Sequence, residues 1–246
     1  MGLDHARGPG DARLPSVTCA IMAFNEEEML DQATADVRAS LLNLGRRFEI
    51  IIVDDGSTDA TADVAGDLAA RWSEVRLVQH PGNRGPGSAI VTGLAEARYD
   101  LYCFHPADNQ LVFDDVAQAL PLLDDRYDLL VGERSDRHDY SVARRVYSYG
   151  YIGLAWALFG LRGFSDFNFV YAFRRDLFDG IEIETSGLFL CTEILVKALD
   201  QGRRAGVMRA RYLPRTTGVS TVGRPSVAVD TLRQMLTFWW HRRNKR

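Results

Sequence analysis

Short apolar runs alternate with longer mixed stretches through the first half of the chain. Consecutive apolar residues are typical of strands buried on both faces, and they predict strands at residues 16–24, 48–55, 75–80, 101–105 and 127–133. The stretches between them predict helices over residues 26–44, 57–72, 83–98 and 114–123. The second of these helices would begin with Ser57 or Thr58 as its N-cap. Alternating strands and helices predict βαβ units and a largely parallel sheet.

The rhythm changes after residue 134. The later elements are predicted as a helix over residues 141–159, a strand over 167–173, a helix over 188–202, a strand over 205–213 and a helix over 226–240. In the last helix, one stripe collects the apolar residues Val229, Leu232, Leu236, Trp239 and Trp240.

These patterns divide the chain into three predicted parts. Residues 1–15 lack an apolar segment and are predicted as a disordered leader. Residues 16–222 are predicted as one α/β domain, and residues 223–246 as a basic amphipathic helix. The longest apolar run, residues 151–161, is too short to span a bilayer.

Composition and charge narrow the picture. Hydrophobic residues make up 46% of the chain and charged residues 25%, which is ordinary for a globular protein with a sizeable core. The net charge is −4, yet residues 197–246 contain twelve Lys or Arg against two Asp. This basic end is expected to face phosphates or an anionic membrane surface, and a solvated tail is the alternative. A nucleic acid is not expected as partner, because the basic end contains no recognisable binding module.

The apolar faces of the helical stretches at 147–161 and 226–240 allow two interpretations. They could rest on a membrane surface, with the basic residues beyond residue 240 beside them. They could also pack on the domain core or in a homodimer interface. The three cysteines have no metal-type spacing and are predicted to be buried thiols in a reducing compartment. A cytoplasmic protein is therefore expected, and on the membrane interpretation it would be peripheral on the inner face of the membrane.

Polar residues cluster where predicted strands end. Asn25 and Glu26 follow the first strand, Asp54 and Asp55 end the second, and Arg134 follows the fifth. In open parallel sheets, ligands bind beyond the carboxyl ends of the strands, so these side chains are expected to converge at one edge.

The stretch "HPADNQ" after the fourth strand is a candidate metal site. Mg²⁺ and Mn²⁺ prefer oxygen ligands and commonly use one or two carboxylates together with substrate phosphates. Asp108 and Gln110 supply such oxygens, while His105 is the wrong ligand class for magnesium. A simple turn is the alternative. In "NRGPGSA", residues 83–89, the glycines could equally let the backbone approach a ligand or serve a structural turn.

Eight stretches in this order resemble the family 2 glycosyltransferases with a GT-A fold, especially the polyprenyl-phosphate branch similar to dolichol-phosphate-mannose synthase. They are "MAFNEEEML", "IIIVDDGSTDAT", "NRGPGSAIVTGL", "ADNQ", "VGER", "ARRVYS", "FLCTEILVKAL" and "RTTGVST", and they cover most of Val17 to Thr221. The resemblance implies a Rossmann-like, mostly parallel sheet flanked by helices.

The same resemblance implies roles for particular residues. The nucleotide-sugar would be bound by Ala23, Asn25, Glu26, Asp54, Asp55, Asn83, Gly85 and Asp108. Mg²⁺ or Mn²⁺ would be held by Asp108 and Gln110. Donor or acceptor phosphates would meet Arg134, Arg145, Ser148, Asp166, Arg215 and Ser220. The catalytic set would be Asp108, Arg134 and Glu193. Pro106 departs from the family's Asp-x-Asp-x-Gln pattern, which puts the affinity or identity of the metal in question.

The implied reaction is an inverting transfer of a hexose from a UDP- or GDP-sugar to a polyprenyl phosphate at a membrane surface. A lipid phosphate is already ionised and needs no general base. The alternative is a soluble transferase acting on a polysaccharide, secondary-metabolite or protein hydroxyl, with Glu193 as base. A third hypothesis is a non-catalytic protein that binds nucleotide-sugars.

Overall fold

Seven strands form one sheet in a computed structural model that describes residues 14–134, 142–164, 166, 169–179, 181–185, 187–213 and 225–244. The strands are β1 Val17–Ala23, β2 Phe48–Asp54, β3 Val75–Gln79, β4 Leu101–Pro106, β5 Leu129–Arg134, β6 Val170–Arg174 and β7 Ala205–Ala210. Their order in the sheet is β3-β2-β1-β4-β6-β5-β7. Only β6 runs antiparallel to its neighbours in this sheet, so the predicted mostly parallel α/β fold is confirmed.

Helices cover both faces of this sheet, as its apolar strands require. They are α1 Leu30–Asn43, α2 Thr61–Arg71, α3 Pro86–Glu96, α4 Phe113–Ala119, α5 Val142–Phe159, α6 Leu190–Asp200 and α7 Pro225–Asn244. Alternate residues of β1 point to opposite faces, so Ile21 packs with α1, α2 and α4, whereas Ala20 packs in the core formed with α3, α5, α6 and α7. A central sheet buried on both faces explains why the strands are continuous apolar runs.

Several helices begin later than predicted, and the difference falls at one edge of the sheet. Helix α1 starts at Leu30 instead of residue 26, and α2 starts at Thr61 with Ala60 as N-cap. The prediction of Ser57 or Thr58 as N-cap is wrong, because both residues bond to the ends of β1 and β2 instead. The strand predicted at residues 205–213 ends at Ala210, with one further bridge at Tyr212.

The last helix divides the predicted apolar stripe. The core face of this helix is formed by Met235 and Phe238, which the predicted stripe did not include, and Trp239 is the one stripe residue that packs against the core. The other residues of the stripe face outward, which corrects the prediction of one shared face: Val229, Leu232, Leu236 and Trp240 are exposed. Within the described ranges, no helix has both the length and the apolarity needed to cross a bilayer. Residues 1–13 and 214–224 lie outside the described residues, so the leader and the domain boundary stay predictions.

Gly132 in β5 allows the ring of Tyr171 to lie close to the strand, and a substitution at this position tests the packing. A Cβ atom at this position would lie 1.7 Å from Cε2 of Tyr171, a buried ring on the neighbouring strand β6. We expect Gly132→Ala to lower the free energy of unfolding by about 1–3 kcal/mol or more, because the ring must shift in a close-packed core. Urea unfolding followed by circular dichroism measures this change.

Gly66→Ala provides the matched control. Gly66 lies in α2 with nothing within 4 Å of the added carbon, so this variant should gain up to about 1 kcal/mol from helix propensity. Equal stability of the Gly132→Ala variant and the parent would contradict the described contact with Tyr171.

Candidate functional site

The carboxyl ends of the central strands meet at one edge. In the parallel register Ala23 lies beside Asp54, and Asp54 lies beside Gln79. On the other side of β1, Met22 lies beside Pro106, and the amide of Ala107 bonds to the carbonyl of Met22. The residues that follow these strands are therefore brought together, as the strand-end positions predict.

Asn25 ties the loop after β1 to the loop after β2. Its φ angle of +55° is a conformation that Asn tolerates better than most residues. Its amide N–H donates to Ser57 Oγ at 2.9 Å, and its side-chain Oδ1 accepts from the Thr58 amide at 2.8 Å. The amide of Glu26 donates to Thr61 Oγ1 at 2.8 Å. These bonds fix the loops against each other before any ligand is present.

Asp54 is completely buried and its carboxylate is occupied on both sides. Oδ1 accepts from the Ser57 amide at 3.0 Å and the Ser57 hydroxyl at 2.5 Å. Oδ2 accepts from Gln79 Nε2 at 3.0 Å. In this conformation Asp54 presents no surface to a ligand, so its effect on a bound molecule must pass through Ser57 or Gln79.

Asp55 fastens the glycine-rich loop to the sheet. Its carboxylate is buried and accepts hydrogen bonds from the amides of Arg84 and Gly85 at 2.9 and 2.8 Å. It also accepts from His80 Nδ1 at 2.7 Å, and His80 Nε2 lies 2.8 Å from Thr92 Oγ1 in α3. This geometry favours a structural role for Asp55, which was predicted to contact the nucleotide-sugar.

The glycines of this region allow a backbone conformation and a close loop contact that other residues would not. Gly85 adopts a φ angle of +89°, which L side chains rarely adopt, and its amide also lies 3.1 Å from Asn83 Oδ1. A Cβ at Gly56 would lie 2.4 Å from the backbone of Gly82, so the two loops touch at this point. For Gly85, the φ angle favours the structural one of the two interpretations left open by the sequence.

A cavity of about 740 Å³ opens between these two loops. It is lined by Phe24, Gly56, Ser57, Thr58, Gln79, His80, Pro81, Gly82 and Asn83. Phe24 is 41% exposed, and no lining residue carries a carboxylate, ammonium or guanidinium group. An exposed ring beside neutral polar groups suits a flat, uncharged ligand with a polar edge.

The loop after β4 carries the candidate metal ligands. Asp108 is half-buried, and its Oδ1 lies 3.2 Å from the Gln110 amide. Asn109 adopts a φ angle of +52°, and its side chain donates to Asp36 of α1 at 3.1 Å. The amide of Leu213 donates to the Gln110 carbonyl at 2.7 Å, which holds the loop against the chain beyond β7. The loop is thus fixed from two sides.

The donor set of this loop fits a divalent cation only in part. In the described ranges, no group of three or more His, Cys, Asp or Glu side chains could enclose a metal ion. One carboxylate and one amide oxygen, from Asp108 and Gln110, suit Mg²⁺ or Mn²⁺ when a bound diphosphate and water complete the coordination. His105 is a core residue, because its ring is completely buried against Phe113, and burial lowers its pKa to about 4.

Asp166 reaches the same edge of the sheet because β6 runs antiparallel to β4. The chain that enters β6 therefore comes from the carboxyl end of β4. Asp166 is buried near Tyr151 of α5, whose hydroxyl lies 2.5 Å from Thr192 Oγ1. Burial raises the pKa of Tyr151 well above its ordinary value, and the charge of Asp166 adds to this rise. On α5, Ser148 is also buried, whereas Arg145 is exposed.

Glu193 is buried at the start of α6 with four donors on its carboxylate. The amides of Glu184 and Thr185 donate at 2.7 and 2.9 Å, the Thr185 hydroxyl at 2.6 Å and Lys197 Nζ at 2.7 Å. A general base needs a free oxygen within reach of the hydroxyl it deprotonates. The geometry therefore favours a structural role for Glu193 over the predicted role of base.

Three predicted residues cannot be placed by their side chains. Arg134 is the last residue of β5, and the structure describes its backbone alone; Arg215 and Ser220 lie outside the described residues. Conversely, the sequence-based prediction missed Phe24, Gln79 and His80. The last two stand at the carboxyl end of β3, where the strand-end rule could have found them.

Comparison with known proteins gives one family match over most of the chain. Residues 18–181 match the family model for glycosyl transferase family 2. The chain is 25% identical over 226 residues to a dolichol-phosphate mannosyltransferase from Pyrococcus furiosus, covering 89% of this chain and 61% of the relative. It is 32% identical over 131 residues to an undecaprenyl-phosphate 4-deoxy-4-formamido-L-arabinose transferase from Edwardsiella ictaluri, covering 53% of this chain and 40% of the relative. The chain thus spans 40% to 61% of the length of these relatives.

Solved structures support the fold. Glucosyl-3-phosphoglycerate synthase from Mycobacterium tuberculosis, bound to Mn²⁺, UDP-glucose and phosphoglyceric acid, superposes with a TM-score of 0.70 at 18% identity, covering 92% of this chain and 80% of that one. A mannosyltransferase from Pyrobaculum calidifontis, bound to GDP-mannose and Mn²⁺, gives a TM-score of 0.56 at 21% identity, covering 85% of this chain and 60% of that one. At these identities the likeness shows the fold alone, and the predicted GT-A fold is confirmed.

The substitution Glu193→Gln distinguishes a structural role of Glu193 from the role of general base. We expect Glu193→Gln to lower the free energy of unfolding by about 1–3 kcal/mol, because the new amide places a donor against N–H groups and Lys197 loses its buried partner. Glu184→Gln is the matched control, since Glu184 pairs with the same lysine at 3.2 Å but is 26% exposed. The control should change stability by less than about 1 kcal/mol. Unchanged unfolding of Glu193→Gln together with lost transferase activity would support the role of base.

Proposed function

The chain belongs to glycosyl transferase family 2, and we propose that it moves a hexose from a nucleoside-diphosphate sugar to a polyprenyl phosphate, with inversion at the anomeric carbon. The observation that carries this proposal is the cavity between the loops after β1, β2 and β3, which lies at the same edge of the sheet as the Asp108–Gln110 loop. This arrangement would place a nucleoside and its diphosphate side by side.

The donor is proposed to be a UDP- or GDP-hexose. The two solved structures compared above contain UDP-glucose and GDP-mannose, and a cavity of about 740 Å³ has room for either nucleoside. Of the predicted contacts, Asn83 lines the cavity, and Ala23, Asn25, Glu26 and Gly85 belong to the strand ends and loops around it. Asp54 and Asp55 would act from behind these loops.

The diphosphate is proposed to bind beside Asp108 and Gln110 together with Mg²⁺ or Mn²⁺. The cation would neutralise negative charge that develops on the leaving diphosphate. Arg134, Arg145 and Arg215 are the proposed guanidinium partners of donor or acceptor phosphates, because a guanidinium group can donate two hydrogen bonds to one phosphate. The chain's own contribution would be to fix these groups before the sugar bond breaks.

A lipid phosphate fits the acceptor side better than a hydroxyl. Its oxygen is already ionised, so the reaction needs no base, and the Glu193 carboxylate is already occupied by four donors. The two relatives compared above are named for dolichol phosphate and undecaprenyl phosphate. A hydroxyl acceptor would require a base other than Glu193, and no observation favours a protein that only binds nucleotide-sugars.

Exposed apolar side chains of α5 and α7 are proposed to place the protein on the inner face of the membrane. We call them together the α5/α7 surface: Val146, Tyr149, Val229, Leu232, Leu236 and Trp240. Helices α5 and α7 contact each other, and His241, Arg242 and Arg243 occupy the last turn of α7. Apolar side chains beside basic ones suit an anionic lipid surface.

Asp108 and Pro106 test the metal-assisted transfer. We expect Asp108→Ala to lower transfer to a short-chain polyprenyl phosphate by about a hundredfold or more. The cation that would neutralise the diphosphate loses its carboxylate ligand in this variant. Pro106→Asp should retain or tighten metal dependence, since it adds a carboxylate at the position where the family has one. Product formation from UDP- and GDP-sugars, with and without Mn²⁺ or Mg²⁺, measures both. Full activity of Asp108→Ala would contradict this assignment.

Substitutions on the α5/α7 surface test membrane contact. We expect Leu236→Glu and Trp240→Glu each to weaken binding to anionic phospholipid vesicles by about tenfold, because burying a large apolar side chain is worth about 1.5–3 kcal/mol. Leu42→Glu is the matched control, since Leu42 is 49% exposed on α1, away from this surface. Co-sedimentation with vesicles measures the binding. An equal loss in all three variants, or no loss in any, would contradict the proposed contact.

A further inference from the structure

Gln79 stands between the buried carboxylate of Asp54 and the cavity. Asp54 has no exposed surface and is not among the residues that line the cavity. Gln79 lies beside Asp54 on the neighbouring strand β3. Its side chain is exposed and lines the cavity. Any ligand in the cavity therefore meets the side chain of Gln79 before it meets Asp54.

The carboxylate fixes the orientation of the Gln79 amide. A carboxylate can only accept hydrogen bonds, so the Gln79 group at 3.0 Å from Asp54 Oδ2 must be the NH₂ end. The two ends of an amide point in different directions, so the carbonyl Oε1 is not held by Asp54 and is the acceptor that Gln79 can offer to a ligand in the cavity. A hydrogen bond from NH₂ to a carboxylate also polarises the amide and strengthens its carbonyl as an acceptor.

We propose that Gln79 reads the nucleobase of the donor, by accepting a hydrogen bond from the ring N–H of a lactam base, uracil or guanine. Asp54 is the positioning residue that holds the Gln79 carbonyl toward the base. This inference rests on the proposed function, because it concerns the nucleoside part of the same site. It predicts which nucleobases the site accepts, which the fold alone does not determine.

This selection rule follows from the hydrogen atoms on the bases. Uracil N3 and guanine N1 each carry a hydrogen next to a carbonyl group and can donate to Gln79 Oε1. Cytosine N3 and adenine N1 carry a lone pair at the corresponding position, so they would set an acceptor against an acceptor. A site built around one hydrogen bond discriminates strongly against a ligand that leaves that bond unmade.

Three other residues of the cavity wall are bonded elsewhere or have no hydrogen-bonding group in their side chain. The ring nitrogens of His80 are engaged by Asp55 and Thr92. The Ser57 hydroxyl donates to Asp54 and accepts from the Asn25 amide. Phe24 offers a ring face, which holds any base by stacking and does not distinguish one base from another.

Nucleotide titrations test the rule. Isothermal titration calorimetry with UDP, GDP, CDP and ADP, at constant Mn²⁺ concentration, gives the dissociation constant of each. We expect the parent protein to bind UDP or GDP at least about tenfold more tightly than CDP or ADP, which corresponds to one hydrogen bond of about 1.4 kcal/mol. Whichever of UDP and GDP binds more tightly identifies the carrier.

Three variants locate the source of this preference. Gln79→Met keeps the length of the side chain and removes the amide, so UDP and GDP should weaken about tenfold while CDP and ADP change little. Asp54→Asn frees the Gln79 amide to rotate, so the preference should fall although Gln79 is still present. Gln118→Met is the matched control: Gln118 is exposed on α4 and donates to Asp114 at 2.6 Å, the same amide–carboxylate pair outside the cavity. It should keep the preference of the parent. Thermal unfolding confirms that each variant is folded.

The outcomes separate this inference from the proposed function. If the parent prefers UDP or GDP and Gln79→Met keeps that preference, the base-reading role of Gln79 is overturned while the transferase proposal stands. If the parent binds all four nucleotides equally, the selection rule is overturned in the same way. If the parent binds none of them, the proposed function and this inference both fall.

Discussion

Two adjacent carboxylates at the end of β2 stand where water does not reach, and the site depends on supplying them with donors. A buried carboxylate without partners is costly, so each must be met by N–H or O–H groups of the protein. Asp54 accepts hydrogen bonds from Ser57 and Gln79. Asp55 accepts them from His80, Arg84 and Gly85. These donors belong to the loops after β2 and β3, so satisfying the two charges shapes the cavity that lies between the loops.

The same principle organises the start of α6. Glu193 collects four donors at the start of α6 and thereby fixes residues 184 and 185. The Asp108–Gln110 loop differs, because Asp108 stays half-buried and its neighbours hold the backbone around it. Glu193 is buried and bonded within the protein, which supports structure, whereas Asp108 remains accessible to solvent. This contrast sorts the acidic residues of the site more clearly than their sequence motifs do.

The sequence predicted the fold well and the site only in outline. Continuous apolar runs such as 48–55 indicated buried parallel strands because a sheet covered on both faces leaves no polar alternation. The strand-end rule placed Asn25, Asp54 and Asp108 at one edge, since it depends only on strand direction. It could not tell that Asp54 is buried behind Gln79, because burial depends on how the β3 loop folds back. The exposure of Leu232 and Leu236 could not be predicted either, since an apolar stripe does not show which surface packs against it.

The strand order has a consequence for how the chain is made. Strand β4 pairs with β1 on one side, but its other side is completed only by β6, whose residues 172–174 pair with residues 101–103. During synthesis β4 is therefore an unprotected edge until about seventy more residues have left the ribosome. An apolar edge strand readily pairs with the wrong chain. The nascent protein is thus most exposed to aggregation after β4 has been synthesised and before β6 emerges, and this is the interval in which a chaperone would matter most.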